Sequence, residues 1–301
     1  MSNDTTPEAL PTALGRRSLM SRVGAGAAGA VAVGAIAAGG LGLATQPAQA
    51  QTVTDADILN FALNLEYLEA EYYLRAFFGH GISGVTGNNG VGGTGTQGTV
   101  TGGTQVPFKN PAIQQYCERL ASDEYTHVQF LRSALGSAAV AEPTINFTSA
   151  FNTLGNAIGF PSFNPFADDV SFLLGSYVFE DVGVTAYNGA ATLISSKAYL
   201  QAAAGILAVE AYHAGSIRTL LANIGAGQAA NAISALRATL SGAQDDQGII
   251  VPGNSYNAVS TDANSLAYTR TTTQVLSIVY GGGKPGVGGL FFPNGLNGTI
   301  R

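Results

Sequence analysis

Two copies of one four-residue pattern constrain this chain more than any other feature. Glu124-Tyr125-Thr126-His127 and Glu210-Ala211-Tyr212-His213 each lie mid-way along a stretch with helical apolar spacing. On a helix, positions i and i+3 are roughly 60° apart and ~4.5 Å along the axis, so both side chains face one point. A carboxylate oxygen and an imidazole nitrogen so placed can bind one metal ion or two adjacent ones. Chance explains the repeat poorly. Residues 51–301 hold only eight Glu and three His, so two such coincidences have odds of roughly three in a thousand, small against a site known from helix bundles.

The rest of the pattern is helical too. A first helix is predicted from about Thr54 to Phe78, capped by Thr54 or Asp55 and ended by Gly79. A second starts at Asn110-Pro111, a cap followed by Pro at the first helical position, and runs to about Leu135. The third begins near Pro165 and continues to about Ser195, the fourth spans about Lys197 to Asn223, and a shorter fifth covers Gln228 to Ser241. The short Ser195-Ser196 joint makes helices three and four a hairpin. A small helix near Phe151 lies in the connection between helices two and three. Two hairpins joined by a long crossover predict an all-α four-helix bundle over residues 51–244.

Residues 83–106 are almost all Gly, Thr, Asn, Gln and Val, too poor in large apolar groups for a core, so they form a surface loop or a flexible flap. Residues 245–301 hold one short helix, Thr271 to Tyr280, and form an appendage packed on the bundle.

Composition removes several classes. Only 11% of the chain is charged, with 13 Lys plus Arg against 19 Asp plus Glu and no basic run, so nucleic acid is excluded as a partner. A lone Cys117 cannot build a disulfide framework, a CxxC zinc site or a rubredoxin-type electron-transfer module.

Residues 1–50 are set apart by Arg16-Arg17-Ser18-Leu19-Met20, a Gly/Ala run from Gly24 to Ala44, and small residues at Ala48-Gln49-Ala50. This arrangement resembles a twin-arginine export signal, which implies a periplasmic or cell-envelope protein. The run is long enough to span a bilayer, but its glycines make a poor permanent anchor, which favours cleavage.

A second repeat lies on helices one and three. Glu66 is followed by Tyr73, and Glu180 by Tyr187, each seven residues on and so on one helix face. A Glu on each of two helices, with Glu-x-x-His on each of the other two, resembles the ferritin-like di-metal carboxylate proteins. The match covers about Asp57–Asn223. The opening Leu63-Asn64-Leu65-Glu66-Tyr67-Leu68-Glu69-Ala70 and the tail Pro293-Asn294-Gly295-Leu296-Asn297-Gly298 resemble a branch related to plant desiccation-related proteins. The resemblance implies two metal ions, Fe or Mn, held by Glu66, Glu124, His127, Glu180, Glu210 and His213. Glu66 and Glu180 would be terminal, Glu124 and Glu210 bridging, and Tyr73 and Tyr187 would hydrogen-bond to ligands of the opposite hairpin. Charge arithmetic agrees, since four buried carboxylates balance two divalent cations.

Other candidates carry less. Glu69 is a candidate extra ligand, Glu71 is expected on the solvated surface, and His80 is expected to face solvent near a helix end. Cys117 is expected as a small buried residue, and Tyr72, Phe77, Phe78, Phe172, Tyr177 and Phe179 as core. The leading expectation is an oxidoreductase acting on dioxygen or peroxide, with an external electron donor for peroxidase turnover and none for disproportionation. The alternatives are a structural or desiccation-protective envelope protein with a stabilising metal site, and an iron-storage protein. A homo-oligomer is left open.

Overall fold

Capping chemistry sets where the helices begin. The computed structural model describes residues 53–86, 90–253 and 255–301; the expected export signal lies outside them. Helix α1 (Asp55–Phe78) starts at Thr54, whose hydroxyl accepts from the Asp57 amide while the Asp57 carboxylate accepts from the Thr54 amide. This reciprocal pair satisfies two amides that a helix start leaves open. Helix α2 (Pro111–Leu135) has the Asn110 cap with Pro111 at its first position. Then follow α3 (Phe147–Ala157), α4 (Asp169–Ala191), α5 (Lys197–Asn223), α6 (Gly227–Ser241) and α7 (Thr272–Val279).

Helix α4 differs from the sequence expectation at both ends. Helix α4 begins at Asp169 rather than near Pro165, because the Asp168 carboxylate accepts from the Ser171 amide and takes the cap position. It also ends at Ala191, short of Ser195.

Helix α1 packs on α2 and α4 on α5, and the crossover between the hairpins carries α3. Two carboxylates tie the hairpins together at their ends. Asp55 accepts from the amides of Ser195 and Ser196 at 2.8 Å each, at the start of α5. Asp169 accepts from the amides of Lys109 and Asn110, just before α2. The core between them is aromatic at one end. Tyr72 is ringed by Tyr73, Phe147, Phe151, Phe166, Phe172 and Phe179, with centroids 5.0–5.9 Å away, and its hydroxyl donates to the Phe172 carbonyl. Phe77 is only partly buried and Phe78 is half exposed at the end of α1, where the core has run out.

The Gly/Thr-rich segment is a hydrogen-bonded strap, not a free flap. Its strand β1 (Val100–Thr101) pairs in parallel with β2 (Ile145–Asn146), and Thr94 bridges to Val140. Gly98 approaches the Pro143–Thr144 backbone so closely that a Cβ would collide with it, which accounts for glycine there. The C-terminal segment closes over the same region. The Asn297 side chain donates to the carbonyls of Thr96 and Ala141, and its amide donates to Asn64 Oδ1 on α1.

The segment from Asp245 onward adds a short hairpin, β3 (Ile250–Val251) with β4 (Ser255–Tyr256), and buries Phe291, Phe292 and Leu296. Three buried arginines hold it. Arg218 and Arg237 pair with Asp181 on α4, Arg237 also pairs with Asp246, and Arg270 pairs with Asp245 and Asp246. No helix among the described residues is long and apolar enough to cross a membrane.

Candidate metal centre

Helical periodicity places Glu66 on α1, Glu124 and His127 on α2, Glu180 on α4, and Glu210 and His213 on α5, all facing the middle of the bundle. All six are buried, and the four carboxylates have no solvent exposure. His127 Nδ1 lies 3.0 Å from Glu124 Oε2 and 3.3 Å from Glu66 Oε2. His213 Nδ1 lies 2.9 Å from Glu124 Oε1 and 3.3 Å from Glu180 Oε2. The two oxygens of Glu124 therefore face one imidazole each.

Two overlapping groups result, each with candidate ligand atoms within 4.8 Å of one another. One is Glu66, Glu124, His127 and Glu210; the other is Glu124, Glu180, Glu210 and His213. Glu124 and Glu210 belong to both, which is the placement of bridging carboxylates, while Glu66 and Glu180 each belong to one.

The donor atoms fit cations better than they fit each other. Glu66 Oε2, Glu124 Oε1, Glu180 Oε2, both oxygens of Glu210 and His213 Nδ1 are buried without a hydrogen bond. The 2.9 Å approach of His213 Nδ1 to Glu124 lacks hydrogen-bond alignment, as expected of lone pairs aimed at a common point between them. Burial pushes the Glu66 carboxyl up to about 7, the neighbouring Glu124 adding to it against the pull of His127. Burial and the surrounding carboxylates push Glu210 well above the usual range. Burial opposes ionisation of Glu124 as well, but the hydrogen bond from His127 and the close approach of both imidazoles hold it low. Desolvation pulls His127 down, and Glu66 and Glu124 overcome it, raising the imidazole to about 11. Protons thus collect where divalent cations would supply the same neutralisation.

A second ring of side chains fixes the first. Tyr73 on α1 donates to Glu180 Oε1 at 2.5 Å, and Tyr187 on α4 donates to Glu66 Oε1, so each tyrosine holds a carboxylate of the opposite hairpin. Asp123, which the spacing argument passed over, accepts from His213 Nε2 at 3.2 Å. That bond leaves Nδ1 as the ligating nitrogen. Its signal was adjacency to the motif, but Val209 stands at the corresponding place before Glu210, so the pattern is not repeated. Gly183 on α4 gives the Glu210 carboxylate its room, because a Cβ there would overlap Oε2.

The remaining candidates lie elsewhere. Glu69 is buried beside the cluster but outside both ligand groups. Glu71 is not on the surface: it is buried, accepts from Arg75 Nε and the Ile82 amide, and anchors the chain after α1. His80 is exposed and stacks on Phe78. Cys117 is fully buried, and burial raises its thiol far above the reactive range.

The model of the ferritin-like domain matches residues 54–223, which spans all four helices that supply the cluster. The chain belongs to the ferritin-like domain family. Two relatives resemble it over most of their length. The ferritin-like catalase Nec2 of Nesocodon mauritianus is 29% identical over 269 residues, covering 82% of this chain and 84% of that one. The desiccation-related protein PCC13-62 of Craterostigma plantagineum is 31% identical over 244 residues, covering 74% and 76%.

Proposed function

We propose that this ferritin-like protein holds two Fe or Mn ions and disproportionates hydrogen peroxide, one molecule being oxidised to dioxygen while another is reduced to two waters. The convergence of six buried donor residues, most of whose facing atoms lack hydrogen-bond partners, supports this reading most directly. The likeness to a ferritin-like catalase favours peroxide over other oxidants. Peroxide also supplies its own reductant, so no separate electron donor is needed.

Glu66 and His127 would hold one ion, Glu180 and His213 the other, with Glu124 and Glu210 between them. The metal pair supplies two-electron redox capacity when bound. The chain supplies the rest. Tyr73 and Tyr187 keep the outward oxygens of Glu180 and Glu66 occupied, which turns the inner oxygens toward the centre. Asp123 keeps the proton on His213 Nε2. His127, 9% exposed, is the least buried of the six residues.

Metal analysis of the protein, followed by oxygen evolution from hydrogen peroxide, tests the reading. Two metals per chain and oxygen release that Glu124→Ala abolishes are expected. A metal-loaded protein that releases no oxygen, and in which Glu124→Ala lowers only the melting temperature, would leave the second reading: a stress-protective protein whose metal stabilises the bundle. The likeness to a desiccation-related protein favours that alternative.

We also propose export by the twin-arginine route, on the strength of residues 16–20 and the Gly/Ala run. Arg16→Lys with Arg17→Lys should leave the protein in the cytoplasm, and an unchanged distribution overturns the proposal.

A further inference from the structure

Beside the metal cluster, on the side away from His127, lies a narrow cavity of about 30 Å³. Its walls are Leu68 of α1, Val178 and Val182 of α4, Ile278 of α7 and Phe291 of the C-terminal segment. Toward the surface it is bordered by Leu236 and Leu240 of α6, both partly buried. Toward the centre it ends on Glu69 and Gly183.

Those last two residues connect the cavity to the cluster. A Cβ on Gly183 would meet both Glu210 Oε2 and, at 3.6 Å, Glu69 Oε1, so only the bare glycine backbone separates the cavity from a candidate bridging carboxylate. Glu69 is 5% exposed, and its carboxylate takes part in no hydrogen bond among the described residues. Apart from Glu69, the one charged group on the lining is Arg237, already engaged by Asp181, Asp246 and the Tyr177 carbonyl.

Size and polarity together select an occupant. The volume suffices for one or two molecules the size of water, but a buried water needs two to four polar partners. The lining offers only the Glu69 carboxylate and the Nε–H of Arg237, which makes no hydrogen bond but already lies 2.8 Å from Asp246 Oδ2. Hydrogen peroxide, with two O–H donors and four lone pairs, is no better served. A small apolar diatomic gives up no hydrogen bonds on entry and gains dispersion contacts with the walls.

We propose that this cavity is a dioxygen site, through which the gas leaves or reaches the cluster between Glu69 and Gly183 by a route that peroxide does not share. The direction of traffic rests on the peroxide-disproportionation reading; the apolar-gas site itself does not.

Xenon, an apolar and electron-dense stand-in for dioxygen, tests the site in pressurised crystals of the wild-type protein. A xenon peak between Leu68, Val178 and Ile278 is expected, and Leu236→Trp at the mouth should remove it. Ordered waters in the cavity, or no xenon there in the wild type, would overturn the proposal. In the Fe(II)-loaded protein, Leu236→Trp should slow oxidation by dissolved dioxygen several-fold and leave oxidation by hydrogen peroxide unchanged. Equal slowing of both, or of neither, overturns the separate route. A xenon peak in a protein that releases no oxygen from peroxide would keep the site and sink only the disproportionation reading.

Discussion

Asp123 shows how much one residue outside the ligand set can matter. It keeps His213 in the tautomer that presents Nδ1 to the centre. We predict that Asp123→Asn lowers metal affinity by roughly 10–100-fold, read by calorimetric titration, with the helical content unchanged. Tyr187→Phe should act differently. It leaves Glu66 Oε1 buried without its donor, which costs about 1–3 kcal/mol of stability in the metal-free protein by chemical denaturation. Glu124, His127, Glu210 and His213 were legible in the sequence because i and i+3 spacing is a local property of one helix, whereas Glu66 and Glu180 were picked out by the Tyr seven residues on and by the family resemblance. Asp123 was not, since its partner comes from α5 while it sits on α2. Glu71 was misread for a related reason. A charged residue suggests solvent, but Arg75 one turn on and the Ile82 amide satisfy this one inside.

At the scale of elements, the strap over residues 90–106 adds a titrating contact. Burial and the nearby Glu71 carboxylate push the Glu142 carboxyl, beside the strap, up to about 9. The Glu142 amide donates to the Val91 carbonyl, and the Glu142 carbonyl accepts from the Gly98 amide. In the unfolded chain the group titrates near 4.5, so between the two values the folded state binds the extra proton. Its contribution to stability is therefore full below about 4.5 and is lost as pH rises through about 9. Glu142→Gln should flatten the fall in melting temperature across that window. The caps made the first two bundle helices legible, down to Thr54 and Asn110. Strand pairing in the strap was not, because β1 finds its partner some 45 residues away and no local pattern announces it.

For the whole molecule, the bundle and the C-terminal segment are joined through buried charge. Arg270 is almost wholly enclosed and pairs with Asp245 and Asp246. Removing one partner of such a network strands the others, so Arg270→Ala should cost ~3–5 kcal/mol in denaturant unfolding. Metal loading should raise the melting temperature and a chelator should lower it, because the candidate ligands come together only when the four helices are assembled. These charged pairs were not legible in the sequence, because Asp181, Arg218, Arg237, Asp246 and Arg270 come together from α4, α5, α6 and the C-terminal segment.

Asn297 gives the chain a closing step in time. It lies 233 residues after Asn64, 201 after Thr96 and 156 after Ala141, yet it bonds to all three. A ribosome emits residues in order, at about 5–20 per second, so on the order of 10–40 s separates Thr96 from its partner. α1 and the strap must wait that long for a contact made by residues synthesised well after them. A nascent chain stalled before Asn297 would leave both without their latch.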